Sequence, residues 1–466
     1  MRIAILGAGS LGCVFGGLLA EAGHEVLLVN RNRALVDRLN ANGLTLDLGQ
    51  AGRRVIGVRA DTTCAPDAPV DLLIVLVKSF DTAAALSGAR SAIGPDTLLL
   101  SLQNGMGHEE LMAPFATPDR VLLGKTYVGG TMTEPGVVIG GTAGRQTFIG
   151  PAEGEVTGRM RAVADAFTGA GLACEASARI RDLAWNKLLV NISTSGLSAL
   201  TGLSYGPLYA VPEVEECARA AVAEGIAVAR AAGARLDFTD PGQPWAMAAD
   251  GLPSGFKASM LQSLERGRRT EIDFIHGAVV RYGAQHDIAT PVNATLVAAV
   301  KGLEHRITTE ATMAETIPEL YFDEVETGAT GTSPKVTMTS EMIMSYADLT
   351  GDHTPVHTDE EFARQSSFGQ RVAHGLLGLS LTDGLKTQAD LRFVPGMSLG
   401  WEWDFKLPIA IGDELFCRFT VESKRETSKG GWGILRIASE LVNQRGEVVQ
   451  TGVHKLMIPM KSTAAA

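Results

Sequence analysis

Residues 2–17 read RIAILGAGSLGCVFGG, and the fold of the N-terminal part turns on this stretch. RIAIL is a short apolar run that stops at glycines. A helix-like stretch follows from Ser10 to Ala22, and HEVLLVNR (24–31) then has the character of a second buried strand. Strand, helix, strand is a βαβ unit. Gly7, Gly9 and Gly12 occupy the turn in the spacing G-x-G-x-x-G. Glycines there let the backbone approach a pyrophosphate and aim the N–H groups of the helix start at it, so Gly7, Gly9, Ser10, Leu11 and Gly12 are the candidate cofactor cradle. The second strand ends in Asn30-Arg31 and not in an acid. An arginine at that point suits a ribose 2′-phosphate, so NADP(H) is the expected cofactor.

Working outward, DLLIVLVK (71–78), DTLLLSLQNG (96–105) and RVLLGKTYVG (120–129) predict further strands separated by alanine-rich helices. Residues 1–170 therefore read as an α/β Rossmann domain with an open, largely parallel sheet. From RIRDLAWNKLLVNIST (179–194) the pattern turns helical, giving an all-α domain over 171–306. The segment 307–317 has no strong periodicity and is expected to be a linker or the tail of the last helix. Residues 318–462 change character again: helices around EMIMSYADLTG (341–351) and HGLLGLSLTDGLKTQ (374–388) precede long alternating stretches at 397–408, 414–426, 432–444 and 448–460. That is an α+β pattern unlike anything before it.

Composition bounds the function. The chain has 466 residues, 45% of them hydrophobic and 20% charged, which is enough for two or three domains with real cores. A net charge of −11 without a Lys/Arg-rich run argues against nucleic-acid binding. Cys13, Cys64, Cys174, Cys217 and Cys417 are scattered, without metal-ligand spacing, and read as reduced thiols, so no metal is expected. The first apolar run is too short to span a membrane and lacks the layout of a signal peptide. A cytoplasmic protein without membrane association is expected.

Lys187 and Asn191 stand four apart in a helical stretch and so share a face. Trp185, Leu188 and Leu189 flank the lysine, and partial desolvation there makes its proton more available. The motifs GAGSLG, VLVKSF, LQNGMG, WNKLLVNIST and SMLQSLERGRRTEID, taken in order, resemble the ketopantoate reductase (2-dehydropantoate 2-reductase) family. The resemblance implies that Lys187 protonates a ketone as hydride arrives, and that Glu271 engages the substrate and that lysine. It also implies that Asn191 and Ser259 hold the rest of a 2-oxo acid, while Arg31, Lys78 and Asn104 serve the cofactor and the cleft. Two positions depart from the family pattern. Ser195 stands where a second substrate asparagine is common, and Ile275-His276-Gly277 replaces the usual ING. The shorter side chain at Ser195 enlarges the pocket, so a 2-oxo acid other than ketopantoate is the alternative substrate.

YADLTGDHTPVHTDEEF (346–362) carries a second acid–base pair. Asp352 and His357 flank a turn fixed by Pro355 and can converge on one water. Hydration of a double bond conjugated to a thioester needs a base, an acid for the α-carbon, and donors for the enolate-like oxygen. Backbone N–H groups near Gly375, at the start of a helix, would supply the last. Together with AHGLLGLSL and DFKLPIAIGDEL, this stretch resembles the MaoC-like, (R)-specific enoyl-CoA hydratase family of hotdog folds. The resemblance implies catalysis by Asp352 and His357, an acyl-CoA substrate and a homodimer. Thr354 and Asp383 replace the family's asparagine and small serine, and Asp383 at the helix end would suit a polar acyl group. His353 and His374 are expected to be structural or capping groups. The alternative for this domain is a dimerisation or acyl-binding module beside an active reductase.

Overall fold

The computed structural model describes residues 1–461, without the side chains of 310–316. The chain divides into two compact units, Met1–Thr308 and Thr309–Ala466.

In the first unit an eight-stranded sheet runs in the order Cys174–Ala176, Thr147–Pro151, Val121–Thr126, Leu98–Ser101, Leu72–Val75, Arg2–Leu6, Glu25–Val29, Arg59–Asp61. Neighbours are parallel except Thr147–Pro151, which pairs antiparallel with Val121–Thr126. Leu72–Val75 and Leu98–Ser101 are buried at every position, as strands covered on both faces must be. Side chains alternate between two cores: Ile3 and Ile5 join Phe15, Leu28 and Phe167 on one face, while Ala4 and Leu6 join Leu73, Leu99 and Val121 on the other. The sheet takes in Cys174–Ala176, beyond the expected boundary at 170, because a three-residue strand reading CEA has no apolar run to announce it.

A second, four-stranded sheet was not anticipated. Its order is Arg53–Ile56, Leu44–Asp47, Val137–Gly141, Gly129–Glu134. Glycines allow it to press on the helix Ser10–Glu21: a Cβ at Gly140 would come 2.7 Å from Leu48 and 3.2 Å from Val14. Those same glycines remove the apolar alternation by which a strand is read from sequence.

The helical part is organised by Ile180–Thr201, packed against Pro212–Ala231, His276–Gln285 and their neighbours through Leu188, Leu189, Ile192, Val222, Ile226 and Val279. Helix Pro291–Thr316 carries through most of 307–317, so this segment is helical and not an irregular linker.

In the second unit, five strands run in the order Thr330–Thr332, Glu414–Glu426, Trp432–Val442, Val448–Pro459, Met397–Phe405, and Val336–Thr337 adds to the end of Glu414–Glu426. All these pairings are antiparallel. The helix Gly375–Lys386 sends Leu377 and Leu385 into a core formed with Leu415, Cys417, Phe419, Val421, Leu435 and Ile437. A long helix wrapped by an antiparallel sheet is the expected hotdog arrangement. Residue 462, the expected end of this domain, lies outside the described residues. Among the described residues no helix is long and apolar enough to cross a membrane.

Candidate functional site

The glycine turn opens one wall of a cavity of about 690 Å³. Gly7 has φ +102°, and a Cβ there would meet the Val77 amide nitrogen at 2.5 Å, so no other residue fits the turn. A Cβ at Gly12 would sit 2.3 Å from the Gly7 carbonyl oxygen, while one at Gly9 would meet nothing within 4 Å. These are the three requirements of a dinucleotide cradle: a tight turn, close helix–strand packing and open space before the helix N-terminus. The chain's residues therefore fit the cofactor. Gly7, Gly9, Ser10, Leu11, Gly12, Arg31, Lys78, Asn104 and Glu271 all line this cavity. Arg31 is largely exposed and pairs with Asp81 at 2.8 Å, and Asp81 lines the cavity as well.

Lys187, Asn191, Ser195 and Ser259 are not among the described residues lining that cavity. The first three lie on Ile180–Thr201, and Ser259 is exposed at the start of Ser259–Glu265. Lys187 Nζ donates to the Thr126 carbonyl oxygen at 2.6 Å, with the Tyr127 ring 5.6 Å away. Although the side chain as a whole is half-buried, desolvation of its ammonium lowers the pKa from 10.5 to about 8. Glu271 does not reach Lys187 in this structure: its Oε2 accepts from Lys78 Nζ at 3.1 Å, and its Oε1 accepts from Ser79 N at 3.0 Å and Ser79 Oγ at 2.7 Å. Ser195 is buried. Next to it, Gly196 accommodates the ring of His276: a Cβ at Gly196 would come 2.7 Å from His276 Nε2. Burial pushes His276 down to about 4, so it is neutral, and its Nδ1 lies 2.8 Å from Asn293 Oδ1.

Sequence reasoning missed several groups here. Lys125 is buried and donates to the Gly105 carbonyl oxygen at 2.7 Å; desolvation, aided by the charge of Lys187, lowers its pKa to about 7. His108 lies 3.0 Å from Ser79 Oγ. Lys125 stands inside RVLLGKTYVG as a lysine in an otherwise apolar strand, which is the signal that was available.

In the second unit, Asp352, His357 and His374 bring ligating atoms within 4.8 Å of one another. His357 Nδ1 lies 2.8 Å from the Val372 carbonyl oxygen. A carbonyl only accepts, so Nδ1 carries the hydrogen and Nε2 is left with a basic lone pair. Asp352 Oδ1 accepts from Thr354 Oγ1 at 2.6 Å and from Thr354 N at 3.2 Å, and these bonds, with His374 and His357 nearby, hold the carboxyl below its ordinary range. Of the two roles expected for His374, structural or capping, its contacts fit the structural one. Its side chain caps nothing; the buried ring sits 3.9 Å from that of His357, and its Nε2 donates to the Asp352 carbonyl oxygen at 2.9 Å. Gly375 begins the helix immediately after it. Asp383 is not a lone carboxylate: it pairs with Lys386 at 3.5 Å. Lys386 is lowered to about 8 by burial, and its Nζ lies 2.6 Å from His454 Nδ1.

A glycine-cradled cavity on a parallel sheet, followed by a helical domain that presents a desolvated lysine, defines a Rossmann-type oxidoreductase, here continued by a hotdog domain. Comparison with known proteins specifies the family. Residues 3–154 match the model for Ketopantoate reductase PanE/ApbA, 179–304 match its C-terminal model, and 324–438 match the MaoC like domain. The chain belongs to the ketopantoate reductase family and carries a MaoC-like domain at its C-terminal end. The 2-dehydropantoate 2-reductase of Halobacterium salinarum is 35% identical over 302 residues, covering 65% of this chain and 98% of that protein. That of Archaeoglobus fulgidus is 33% identical over 304 residues, with the same two coverages. Among solved structures, a PanE/ApbA family ketopantoate reductase from Ralstonia eutropha matches with TM-score 0.60 and 34% identity, covering 66% of this chain and all of that one. D-mandelate dehydrogenase with NADH and anilino(oxo)acetate matches with TM-score 0.60 and 26% identity over the same shares.

Proposed function

We propose that the chain is a cytoplasmic, bifunctional enzyme: an NADPH-dependent reductase of a 2-oxo acid, ketopantoate or a close relative, fused to a MaoC-like enoyl-CoA hydratase or dehydratase. The observation that carries the reductase reading is the Lys187 ammonium, whose pKa burial brings to about 8. An ammonium of that acidity is still protonated at neutral pH and gives up its proton readily as charge builds on a carbonyl oxygen. When bound, the nicotinamide supplies the hydride to the carbonyl carbon. Lys187 protonates the oxygen, and Asn191, Ser259 and Glu271 hold the acid. Oxidation of NADPH by the full-length protein over a panel of 2-oxo acids tests this reading, and no turnover of any of them overturns it.

The 2′-phosphate would be held by Arg31. Arg31→Ala is expected to raise KM for NADPH about tenfold or more, the worth of a charge-assisted hydrogen bond, and to leave KM for NADH within about twofold. Because Asp81 already occupies part of the Arg31 charge, steady-state kinetics with both cofactors should show a parent preference for NADPH that Asp81→Asn increases.

In the second unit, His357 Nε2 takes a proton from water as the water oxygen bonds to the β-carbon, charge gathers on the thioester oxygen before the helix start at Gly375, and the Asp352/His357 pair returns that proton to the α-carbon. A homodimer is the proposed assembly. Met397–Phe405 is an edge strand that leaves Met397, Leu399 and Phe405 exposed, with Leu407 following. Leu399→Asp is expected to shift the protein from dimer to monomer in sedimentation velocity.

A further inference from the structure

We propose that His108, acting through Ser79, is a positioning residue of the reductase that fixes the Glu271 carboxylate in the orientation in which it engages the 2-oxo acid. This rests on the reading of Glu271 as a substrate-engaging group, and it adds two residues that the family resemblance does not assign.

The hydrogen bonds have only one consistent direction. Glu271 presents a carboxylate, which accepts and never donates. Ser79 has one hydroxyl hydrogen, and the 2.7 Å contact commits it to Glu271 Oε1. The same Oγ lies 3.0 Å from His108 Nε2. Ser79 must therefore accept there, and His108 must carry its hydrogen on Nε2. His108 is buried, and burial together with the charges of Lys125 and Arg281 pushes it down to about 3, so the ring stays neutral across the working range. A neutral ring whose Nε2 hydrogen is committed has a single tautomer, and that sets the direction of the whole chain.

The ring itself has little freedom. It stacks on Phe274 with centroids 5.3 Å apart and planes 11° from parallel. Phe274 belongs to the 3-10 turn Ile272–Phe274 that begins directly after Glu271, and its carbonyl oxygen accepts from Met106 N at 2.9 Å. The loop before His108 and the turn after Glu271 are thus tied together twice, once through backbone and once through rings. The chain of contacts ends at the cofactor cavity, which Glu271 lines beside Lys78. A network that served stability alone would have no need to terminate on Glu271, the buried carboxylate among the described residues that line the cavity.

The test measures kcat and KM for the best 2-oxo acid at saturating NADPH, with thermal midpoints, for full-length Ser79→Ala, His108→Phe, their double variant, His108→Gln and Glu271→Gln. Ser79→Ala and His108→Phe are each expected to raise KM about tenfold, in line with loss of a hydrogen bond to a charged group, and to move kcat less. The double variant should be no worse than either single one, because both break the same chain. His108→Gln, which restores an N–H donor, should recover most of the loss. Parent KM values in both single variants, effects that multiply in the double, or no recovery with Gln would overturn the proposal. If Glu271→Gln is impaired while His108→Phe is not, only this proposal fails. If Glu271→Gln keeps the parent KM, the reading beneath it fails too.

Discussion

Lys187→Ala is expected to lower kcat for 2-oxo acid reduction by about 10²–10⁴-fold, the usual worth of a positioned general acid. Affinity for NADPH, followed by cofactor fluorescence, should be unchanged, because Lys187 is not among the described residues lining the cofactor cavity. The pH profile gives an independent check. Burial lowers this ammonium to about 8, and in the proposed mechanism the active form is the protonated one. The parent rate should therefore be flat below about pH 8 and fall tenfold for each further unit, with the sign set by loss of the acid. In Lys187→Arg the charge persists at every accessible pH, so that limb should disappear along with most of the rate. A Lys187→Ala enzyme as fast as the parent on every 2-oxo acid would remove the mechanism.

The same lysine marks how far the sequence could be read. That it lies in a helix among apolar neighbours is visible in AWNKLL. That its Nζ reaches across to Thr126 O, and that Lys125 sits close enough for the two charges to interact, is not visible, because strand and helix are about 60 residues apart in the chain and meet only in the fold. The central strands were legible because both their faces are buried, which leaves uninterrupted Leu, Ile and Val. The four long strands of the second unit were legible for the opposite reason: one face is buried and polar residues alternate, as in the pattern of Glu414–Glu426. The glycine-rich sheet beside Ser10–Glu21 follows neither rule and was missed. The glycine turn could be placed to the residue, since Gly7 and Gly12 are required by backbone geometry and not by partners. The partners of Glu271 could not, because Ser79 and His108 are 192 and 163 positions away and are ordinary residues in isolation. The likeness to a family assigned Glu271 to Lys187, whereas in this structure it is held by Lys78 and Ser79.

In the second unit, Asp352→Asn combined with His357→Ala is expected to reduce hydration of crotonyl-CoA by at least about 10³-fold, as loss of enoyl absorbance reports, with reduction of the 2-oxo acid unaffected. The proposed roles of the two residues are separable, so the single variants should differ. His357 has its Nδ1 hydrogen held by Val372 O, which leaves Nε2 available for the proposed role of base. His357→Ala removes that base, and the residual rate should rise with hydroxide concentration. Asp352 is ionised well into the acid range because Thr354 donates to it twice. Its neutral amide replacement keeps the shape but cannot take or return a proton. His374 bears on both, since its ring lies tilted against that of His357 and it donates to the Asp352 backbone. His374→Ala should thus impair hydration by loss of geometry, and less than either single catalytic substitution. Undiminished hydration in the Asp352/His357 double variant would place that activity on other residues, whereas a parent protein that hydrates no crotonyl-CoA would leave the domain as an acyl-binding or dimerisation module beside an active reductase.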